Sequence, residues 1–336
     1  MDAPLRSIHV VAGLIRDARG RILLARRTEG RDLAGLWEFP GGKREPGETS
    51  EQALVRELRE ELGIEVEAGE SLIEVPQQYP DKRLRLEVRT VPRWKGTPRG
   101  REGQALTWVA PERLGRYSMP PADRPVVGML HQPALYLVTP EPGDDRGAWL
   151  AALDTALARG YARIQLRART LAAGHGPAWR ALAEAAVARC REAGAEVLVN
   201  RDIALAASLG AGVQLGSEQL ATLAERPLPA GVPVGASCHG LEDLQAAQAL
   251  GCDFAVLGPV RETATHPGAA GLGWERFERL REQVSLPIYA IGGLAASDLA
   301  EARRHGAQGI AAIRDFWPVP VQDTAPRAVA GDARVS

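Results

Sequence analysis

The second half of the chain repeats one pattern eight times, and this repetition restricts its fold more than any other feature. Between residues 134 and 317, short apolar runs alternate with alanine-rich stretches of helical character. The runs are continuously apolar, as expected for parallel strands covered on both faces. Eight strand–helix repeats predict an α/β fold, a (β/α)8 TIM barrel. The eight runs are Ala134–Thr139, Arg163–Leu166, Glu196–Val199, Gly212–Leu215, Val232–Ser237, Phe254–Leu257, Pro287–Ile291 and Gly309–Ile313.

The first half mixes strand-like runs with one strongly charged helix. Two aliphatic runs, His9–Ile15 and Arg21–Ala25, flank the turn Asp17–Gly20 and predict a hairpin. Leu84–Val88 alternates in polarity and predicts a half-buried strand. At about 150 residues per domain, the 336 residues suggest two domains. We expect domains at 1–132 and 133–320, with a flexible tail at 321–336 that has no apolar periodicity.

Charge and cysteine content narrow the function classes. The 41 basic and 42 acidic residues leave a net charge of -1, which argues against a dedicated binder of nucleic acid or membrane surfaces. No stretch approaches the roughly 18 apolar residues of a spanning helix, and the N-terminus has no secretory pattern. Three widely spaced cysteines fit a reduced compartment. We therefore expect a cytoplasmic protein.

The most informative chemistry lies between residues 41 and 64. Thr49 or Ser50 can cap a helix that ends before Gly63. On that helix Glu57, Glu60 and Glu61 fall within about 100° of arc, and leucines form the neighbouring stripe. A glutamate-rich face is usually just solvated. Three carboxylates that a fold holds together, however, favour a hard cation such as Mg²⁺, which often shares its coordination with substrate phosphates.

The complete spacing resembles the signature of Nudix hydrolases. Gly42, Glu48, Arg56-Glu57-Leu58, Glu60-Glu61 and Gly63-Ile64 occupy every fixed position of that signature. The similarity to the MutT type covers nearly all of residues 8 to 131. It implies an α/β/α sandwich with a mixed sheet and hydrolysis of nucleoside triphosphates to monophosphate and pyrophosphate. A MutT-type enzyme would act on 8-oxo-dGTP, in nucleotide-pool sanitation and DNA repair.

The resemblance also implies roles for individual residues. The metal ligands would be Glu57, Glu60, Glu61, Glu102 and the carbonyl of Gly41, binding Mg²⁺ or alternatively Mn²⁺. Glu57 and Glu102 are both candidates for the catalytic base. The residues implied for the substrate are Arg27 for phosphate and Phe39, Lys82 and Asp123 for the base.

Two of these substrate positions depart from the family pattern. Asp123 stands where a base-reading asparagine is expected, and an ionised Asp only accepts hydrogen bonds. Three alternatives stay open: burial protonates Asp123, or it reads only donor groups of guanine, or base preference has shifted. Lys82 replaces an arginine and lacks its planar fork.

Polar residues gather where the predicted barrel strands end, which is where barrels carry their chemistry. They are Gln165, Arg167, Asn200, Ser237, His239, Thr263, Thr265, Gly292 and Gly293. These segments resemble thiamine-phosphate synthase and its TenI relatives. The resemblance implies a phosphate site, for which a thiamine-precursor phosphate is the expected ligand, with the diglycine binding phosphate through backbone N–H groups.

The synthase metal positions are altered. Arg201 replaces the aspartate that follows Asn200, with Asp202 one residue late, and Gln219 stands at a second acidic position with Glu218 beside it. We expect weak or absent synthase activity and a surviving phosphate pocket. Two alternatives remain for the whole chain: a Nudix hydrolase of a thiamine-related pyrophosphate, or a hydrolase regulated by a non-catalytic, ligand-binding barrel.

Overall fold

The computed structural model describes residues 5–169, 176–262 and 271–318. Its N-terminal part contains nine strands and two helices among these residues, together with a 3₁₀ turn at Pro111–Arg116. In chain order they are β1 Arg6–Ile15, β2 Ile22–Arg26, β3 Trp37–Glu38, β4 Gly41–Lys43, α1 Ser50–Leu62, β5 Glu65–Glu67, β6 Ser71–Gln78, β7 Lys82–Val91, β8 Arg93–Lys95, β9 Leu106–Val109 and α2 Arg124–His131.

The two helices enclose mixed β structure, which confirms the predicted α/β/α sandwich. One sheet has the order β4-β1-β7-β6, with β1 and β7 parallel and the other pairs antiparallel. A second sheet has the order β3-β2-β9. Helix α1 buries Leu54, Leu58 and Leu62 against Val11 and Ile15. Helix α2 closes a separate apolar cluster, so each helix covers its own hydrophobic layer.

The predicted β1–β2 hairpin is wrong in its pairing. The turn forms, with the Gly20 N–H donating to the Asp17 carbonyl at 2.9 Å, but the strands separate after a single bridge between Arg16 and Ile22. β1 instead pairs with β7 over ten residues, while β2 pairs with β3 and β9. The turn residues Asp17–Gly20 reverse the chain direction, as their sequence predicts. Long-range pairing of a largely buried strand, which the sequence pattern does not encode locally, decided the sheet.

Helix α1 begins and ends where its capping residues predict. Thr49 Oγ1 accepts the Gln52 N–H at 3.2 Å, and the Gln52 side chain accepts the Thr49 N–H at 2.9 Å, which forms a capping box. Gly63 has φ 70°, the left-handed conformation that ends a helix at little cost for glycine. The two caps fix the register that places the glutamates.

The C-terminal part is a closed barrel of eight parallel strands, which confirms the predicted TIM barrel. Each strand matches one predicted run to within two residues at either end. The strands are β10 Leu135–Val138, β11 Arg163–Leu166, β12 Glu196–Asn200, β13 Gly212–Leu215, β14 Val234–Cys238, β15 Phe254–Leu257, β16 Ile288–Ile291 and β17 Gly309–Ala312. The described helices are α3 Arg146–Ala158, α4 Pro177–Glu192, α5 Ile203–Leu209, α6 Ser217–Leu220, α7 Leu241–Ala249, α8 Gly273–Arg281 and α9 Leu299–Arg304, with a 3₁₀ turn at Ala296–Asp298.

An arginine lies inside the barrel near the N-terminal ends of the strands. The Arg163 guanidinium carbon is 4.3 Å from the Phe254 ring centre, and the side chain also pairs with Glu196 at 2.5 Å. Its Nη1 donates to Tyr289 at 2.8 Å and to Gln132 at 2.9 Å. Gln132 lies three residues before β10, so Arg163 connects the N-terminal end of the barrel to the segment that joins the two parts of the chain. The domain boundary after residue 132 stays a prediction, and the predicted tail at 321–336 lies outside the described residues.

Two expectations drawn from composition can be compared with the described residues. Within them, no helix combines the length and apolar character needed to cross a membrane. Cys190, Cys238 and Cys252 are all buried and carry free thiols. Burial raises the pKa of each thiol, which makes these cysteines poor nucleophiles.

A buried carboxylate anchors the start of α1 to the sheet. Glu87 on β7 accepts a hydrogen bond from Ser50 at 2.5 Å, pairs with Arg89 at 2.5 Å and lies 3.2 Å from His9 Nε2. Burial alone would raise the pKa of Glu87, but the contacts with His9, Ser50 and Arg89 together lower it to about 2. A carboxylate with a depressed pKa stabilises the fold above its unfolded pKa, and that contribution is lost as pH falls toward the folded value.

We expect Glu87→Gln to lower the free energy of unfolding by about 3 kcal/mol at pH 7, because it removes the buried carboxylate partner of Arg89 and leaves only the more exposed Glu51 as a carboxylate partner. The loss relative to wild type should shrink between pH 4.5 and pH 2, where wild-type Glu87 also becomes protonated. Urea titrations across this range measure it. Glu67→Gln, in an exposed pair with Arg93, is the control and should cost less than about 1 kcal/mol. Equal losses in the two variants would contradict the assignment.

Candidate active site

A large cavity lies in the N-terminal part, beside the carboxylates of α1. Its volume is about 1160 Å³. We call the part of its lining formed by the predicted metal ligands the carboxylate wall, and the part formed by Phe39 and Asp123 the Asp123 wall. The predicted residues that line it are Gly41, Glu57, Glu61, Glu102, Arg27, Phe39, Lys82 and Asp123. The fold thus brings together eight of the nine residues predicted for this site.

Two glycines allow the carboxylates to approach the sheet. A Cβ on Gly42 would lie 2.2 Å from Glu57 Cδ, so the Glu57 carboxylate occupies the space that a side chain would need. Gly41 has φ 153°, and a Cβ there would lie 2.1 Å from the Val11 carbonyl oxygen. Strand β4 therefore has to be glycine at both positions to lie between β1 and the helix.

Arg56 organises the acidic helix face. Its guanidinium pairs with Glu48 at 2.7 Å, Glu57 at 2.9 Å and Glu60 at 3.3 Å. It also donates to the Lys43 carbonyl at 3.0 Å. The bond from Arg56 is the largest influence on Glu48 and lowers its pKa to about 2. One cation thus fixes both the loop that leads into α1 and the rotamer of Glu57.

Glu61 and Glu102 meet on the far side of the cluster through Arg31. Arg31 lies 3.5 Å from Glu61 and pairs closely with Glu102. Burial, together with the charges of Glu102 and Glu38, raises the pKa of Glu61 to about 7. Glu60 is the exception among the predicted ligands, since its side chain is 58% exposed and it does not line the cavity.

The donor set fits a hard divalent cation. Glu57, Glu61 and Glu102 offer carboxylate oxygens to one cavity, and the raised pKa values of Glu57 and Glu61 reflect burial and mutual repulsion. Among residues 5–169, 176–262 and 271–318, no three Asp, Glu, His or Cys side chains are already close enough to hold an ion. Arg31 and Arg56 are the groups paired with these carboxylates, and binding of a cation would have to shift those pairs.

The Asp123 wall contains a further carboxyl group, which is deeply buried. Asp123 is 5% exposed and accepts the Phe39 N–H at 3.2 Å. Burial, with a smaller contribution from Glu38, raises the pKa of Asp123 to about 8. At neutral pH the group is therefore a protonated acid, which donates one hydrogen bond and accepts another. Of the three alternatives for this residue, the geometry supports protonation by burial.

Charged pairs border this wall. Arg27 pairs closely with Glu38, and its Nε donates to the Asp32 carbonyl at 2.6 Å. Lys82 pairs closely with Asp32 and lies 3.5 Å from Asp81. Both cations predicted to bind substrate are thus placed at the cavity, and each is held by a carboxylate at its rim.

The predicted barrel residues that the structure describes lie at or directly after the carboxyl ends of their strands. Gln165 is buried and donates to Tyr136 at 3.3 Å, while Ser237 accepts from Gln214 at 3.1 Å, so these two belong to an internal network. Arg167 is half-buried, and burial lowers its pKa. Asn200, His239, Gly292 and Gly293 also occupy strand ends, and Thr263 and Thr265 lie outside the described residues.

The residues at the synthase metal positions do not fit a metal ion. Arg201 forms an ion pair with Glu218 at 2.9 Å. Asp202 is turned toward α5, where its Oδ1 accepts the Leu205 N–H at 2.9 Å as a helix cap. Gln219 accepts the Gly216 N–H at 3.0 Å and donates to the Arg201 carbonyl at 2.9 Å. A cation therefore stands where the resemblance to the synthase family implies a cation-binding group, and weak or absent synthase activity stays a prediction.

Sequence reasoning missed three residues of the first cavity. Arg31 links Glu61 to Glu102, and Glu38 adds a buried charge next to Arg27. Asp32 pairs with Lys82 across 50 positions of sequence. None of the three has a spacing signal, because each acts through contacts with residues that are not its neighbours in the sequence.

Comparison with known proteins assigns both parts of the chain. The NUDIX domain model matches residues 11–129, and the thiamine monophosphate synthase model matches residues 135–316, just over half of the chain. A CTP pyrophosphohydrolase of Escherichia coli is 46% identical over 123 residues, covering 37% of this chain and 90% of the relative. An 8-oxo-dGTP diphosphatase of the same organism is 38% identical, covering 38% and 98%. A thiamine-phosphate synthase of Thermus thermophilus is 39% identical, covering 58% and 94%.

We expect Gly42→Ala to weaken Mn²⁺ binding at least about ten-fold, because the added Cβ displaces the Glu57 carboxylate. Titration followed by electron paramagnetic resonance measures the change. Gly115→Ala is the matched control, since its Cβ meets no heavy atom within 4 Å. Unchanged Mn²⁺ affinity in the Gly42 variant would show that Glu57 is not a metal ligand.

Proposed function

Since the chain belongs to the Nudix hydrolases in its N-terminal part and to the thiamine monophosphate synthase family in its C-terminal part, we propose that it hydrolyses nucleoside triphosphates to monophosphates and pyrophosphate. The substrate that we favour is 8-oxo-dGTP, which would make the protein a sanitiser of the nucleotide pool. The observation that carries the proposal is the single cavity with three carboxylates on one wall and a buried, protonated acid on the other.

The carboxylate wall supplies the reaction chemistry. Glu57, Glu61, Glu102 and the Gly41 carbonyl would hold Mg²⁺, or Mn²⁺ in its place. Bound there, the metal activates water and neutralises charge on the phosphates. Arg56 pairs with Glu57, and Arg27 would bind phosphate once Glu38 releases it. The base is Glu57 or Glu102, because both line the cavity.

The Asp123 wall supports recognition of an oxidised guanine. A protonated carboxyl can donate to the guanine O6 and accept from the N7–H that 8-oxidation creates. It thus reproduces the mixed donor and acceptor character of the asparagine expected at this position. Phe39 packs next to it with 2% exposure and offers an apolar surface to the base.

A cytosine nucleotide is the second candidate substrate. The relative named CTP pyrophosphohydrolase is 46% identical, compared with 38% for the 8-oxo-dGTP diphosphatase of the same organism. A protonated Asp123 can also donate to cytosine N3 and accept from its amino group. Parallel assays of 8-oxo-dGTP, dGTP and CTP with the full chain discriminate between the two substrates. Equal, slow turnover of 8-oxo-dGTP and dGTP would contradict the sanitising role.

For the barrel we propose a phosphate-ligand site without synthase activity. Arg167, Gly292 and Gly293 would bind the phosphate at the strand ends, and the Arg201–Glu218 pair replaces the metal site. The contacts to the Nudix part precede strands β10, β16 and β17, at the opposite end of the barrel. Direct transfer of a thiamine-related pyrophosphate between the two sites is therefore disfavoured.

We expect Glu57→Gln to lower kcat by at least about a thousand-fold, because one neutral swap removes a charged oxygen ligand and a candidate base. Pyrophosphate release by the full chain measures it. Glu51→Gln, on the same helix but paired with Arg89, should keep wild-type kcat. Wild-type turnover in the Glu57 variant would exclude this residue from the reaction.

We expect KM for the preferred nucleotide to rise about ten-fold between pH 7 and pH 9, because Asp123, with a pKa near 8, loses its proton and its donor over that interval. Asp123→Asn should keep the KM seen at pH 7 and abolish this rise. Steady-state kinetics at several pH values measures both. A pH-dependent KM that persists in the Asn variant would assign the titration to another group.

A further inference from the structure

The barrel meets the Nudix part at the edge of its sheet. β6 is the last strand in the order β4-β1-β7-β6, and its edge would otherwise leave backbone groups unpaired. The Gln78 N–H instead donates to the Glu282 carbonyl of the barrel at 2.8 Å. The segment that follows α8 thus caps the end of this edge strand.

Side chains reinforce the same junction. Gln77, 5% exposed, donates to the Glu282 carbonyl at 3.1 Å. Gln283 donates to Gln78 Oε1 at 2.6 Å. Arg83, which pairs with Gln78 in the strand register, lies 3.2 Å from the Glu282 carboxylate. Both strands of the β6–β7 hairpin are therefore held by two consecutive barrel residues.

The barrel segment is itself held in place. Arg281 is fully buried, and it donates to the Val284 carbonyl at 2.7 Å and to the Gly306 carbonyl at 3.1 Å. These bonds fix the backbone on both sides of Glu282 and Gln283. A buried guanidinium that donates to two backbone carbonyls from different segments is suited to holding a loop in one shape.

The clamped hairpin continues directly into the nucleotide cavity. Tyr79 follows Gln78, and its N–H closes the turn on the Lys82 carbonyl at 2.8 Å. Tyr79, Asp81 and Lys82 all line the cavity. The Tyr79 ring also lies 5.6 Å from Lys82 Nζ. Any shift of the Gln78 backbone therefore moves part of the cavity wall on the Asp123 side.

We propose that Glu282 and Gln283 of the barrel are positioning residues for nucleotide binding by the Nudix part, acting through the Tyr79–Lys82 turn. This inference rests on the proposed function. The carboxylates of the other wall belong to α1 and to the loop of Glu102, and Arg56 and Arg31 hold them. The clamp therefore acts on substrate affinity and base preference, and leaves the chemical step unchanged.

The test uses the full chain with Gln77→Leu and Gln283→Ala combined, which removes both side-chain amide donors described above and leaves the Gln78 N–H bond to the Glu282 carbonyl in place. We expect KM for the nucleoside triphosphate to rise about three- to thirty-fold, with kcat within about two-fold of wild type. Glu278→Gln is the matched control. It breaks the Arg85–Glu278 pair at the same interface, 3.0 Å long, and should leave KM unchanged.

Hydrogen exchange supplies a second readout that does not depend on turnover. The amides of residues 79 and 81–84 should exchange faster in the double variant, while those of α1 keep wild-type rates. Unchanged KM in an active double variant, or unchanged exchange in the turn, would overturn the inference. So would an equal rise of KM in Glu278→Gln, which indicates general loosening. A wild-type chain that cleaves no nucleotide contradicts the proposed function instead, and the exchange result then decides the positioning role.

Discussion

Repulsion between carboxylates in a partly buried cavity is the constraint on which the N-terminal part depends. Glu57 and Glu61 both have raised pKa values, with burial as the main cause and other carboxylates as a further one. Arg56 and Arg31 offset that repulsion from opposite sides of the cluster. Without Arg56, the loop that leads into α1 and the helix face would have no common counter-charge. The same repulsion would favour the binding of a divalent cation that we propose for this cavity.

The local signals in the sequence predicted local structure well. Thr49 and Gly63 set the ends of α1, because caps satisfy backbone groups of the helix itself. The eight barrel strands followed from continuous apolar runs, since a parallel sheet covered on both faces requires them. Eight residues of the predicted Nudix site line one cavity. They lie on α1, on strands of the N-terminal part, or on the segments next to them.

The parts that failed depend on contacts between distant residues. β1 pairs with β7, 76 positions further along the chain, instead of its predicted hairpin partner, because a buried strand is placed by packing on both faces. Arg31 and Asp32 complete the site from a loop with no periodic pattern. Glu60 shares the helix face with Glu57 and Glu61 but stays exposed, since it lies at the edge of their arc of about 100°, on the side away from Glu61.

Both ends of the barrel matter for the chain: the N-terminal ends of its strands, which we call the floor, and their carboxyl ends, which we call the mouth. Its floor contacts the linker through Arg163 and the sheet edge through Glu282. Its mouth faces the other way and carries an ion pair where the synthase family binds metal. If the barrel lacks synthase activity, as we propose, it can be retained because it covers a strand edge and fixes a turn of the neighbouring site.

A crystal structure of the full chain with Mn²⁺ and a non-hydrolysable nucleoside triphosphate tests the central claim most directly. The account predicts anomalous Mn²⁺ peaks within coordination distance of Glu57, Glu61, Glu102 and the Gly41 carbonyl, with the phosphates on the same ions. Mn²⁺ bound elsewhere, with Glu57 and Glu61 still paired to Arg56 and Arg31, would contradict it.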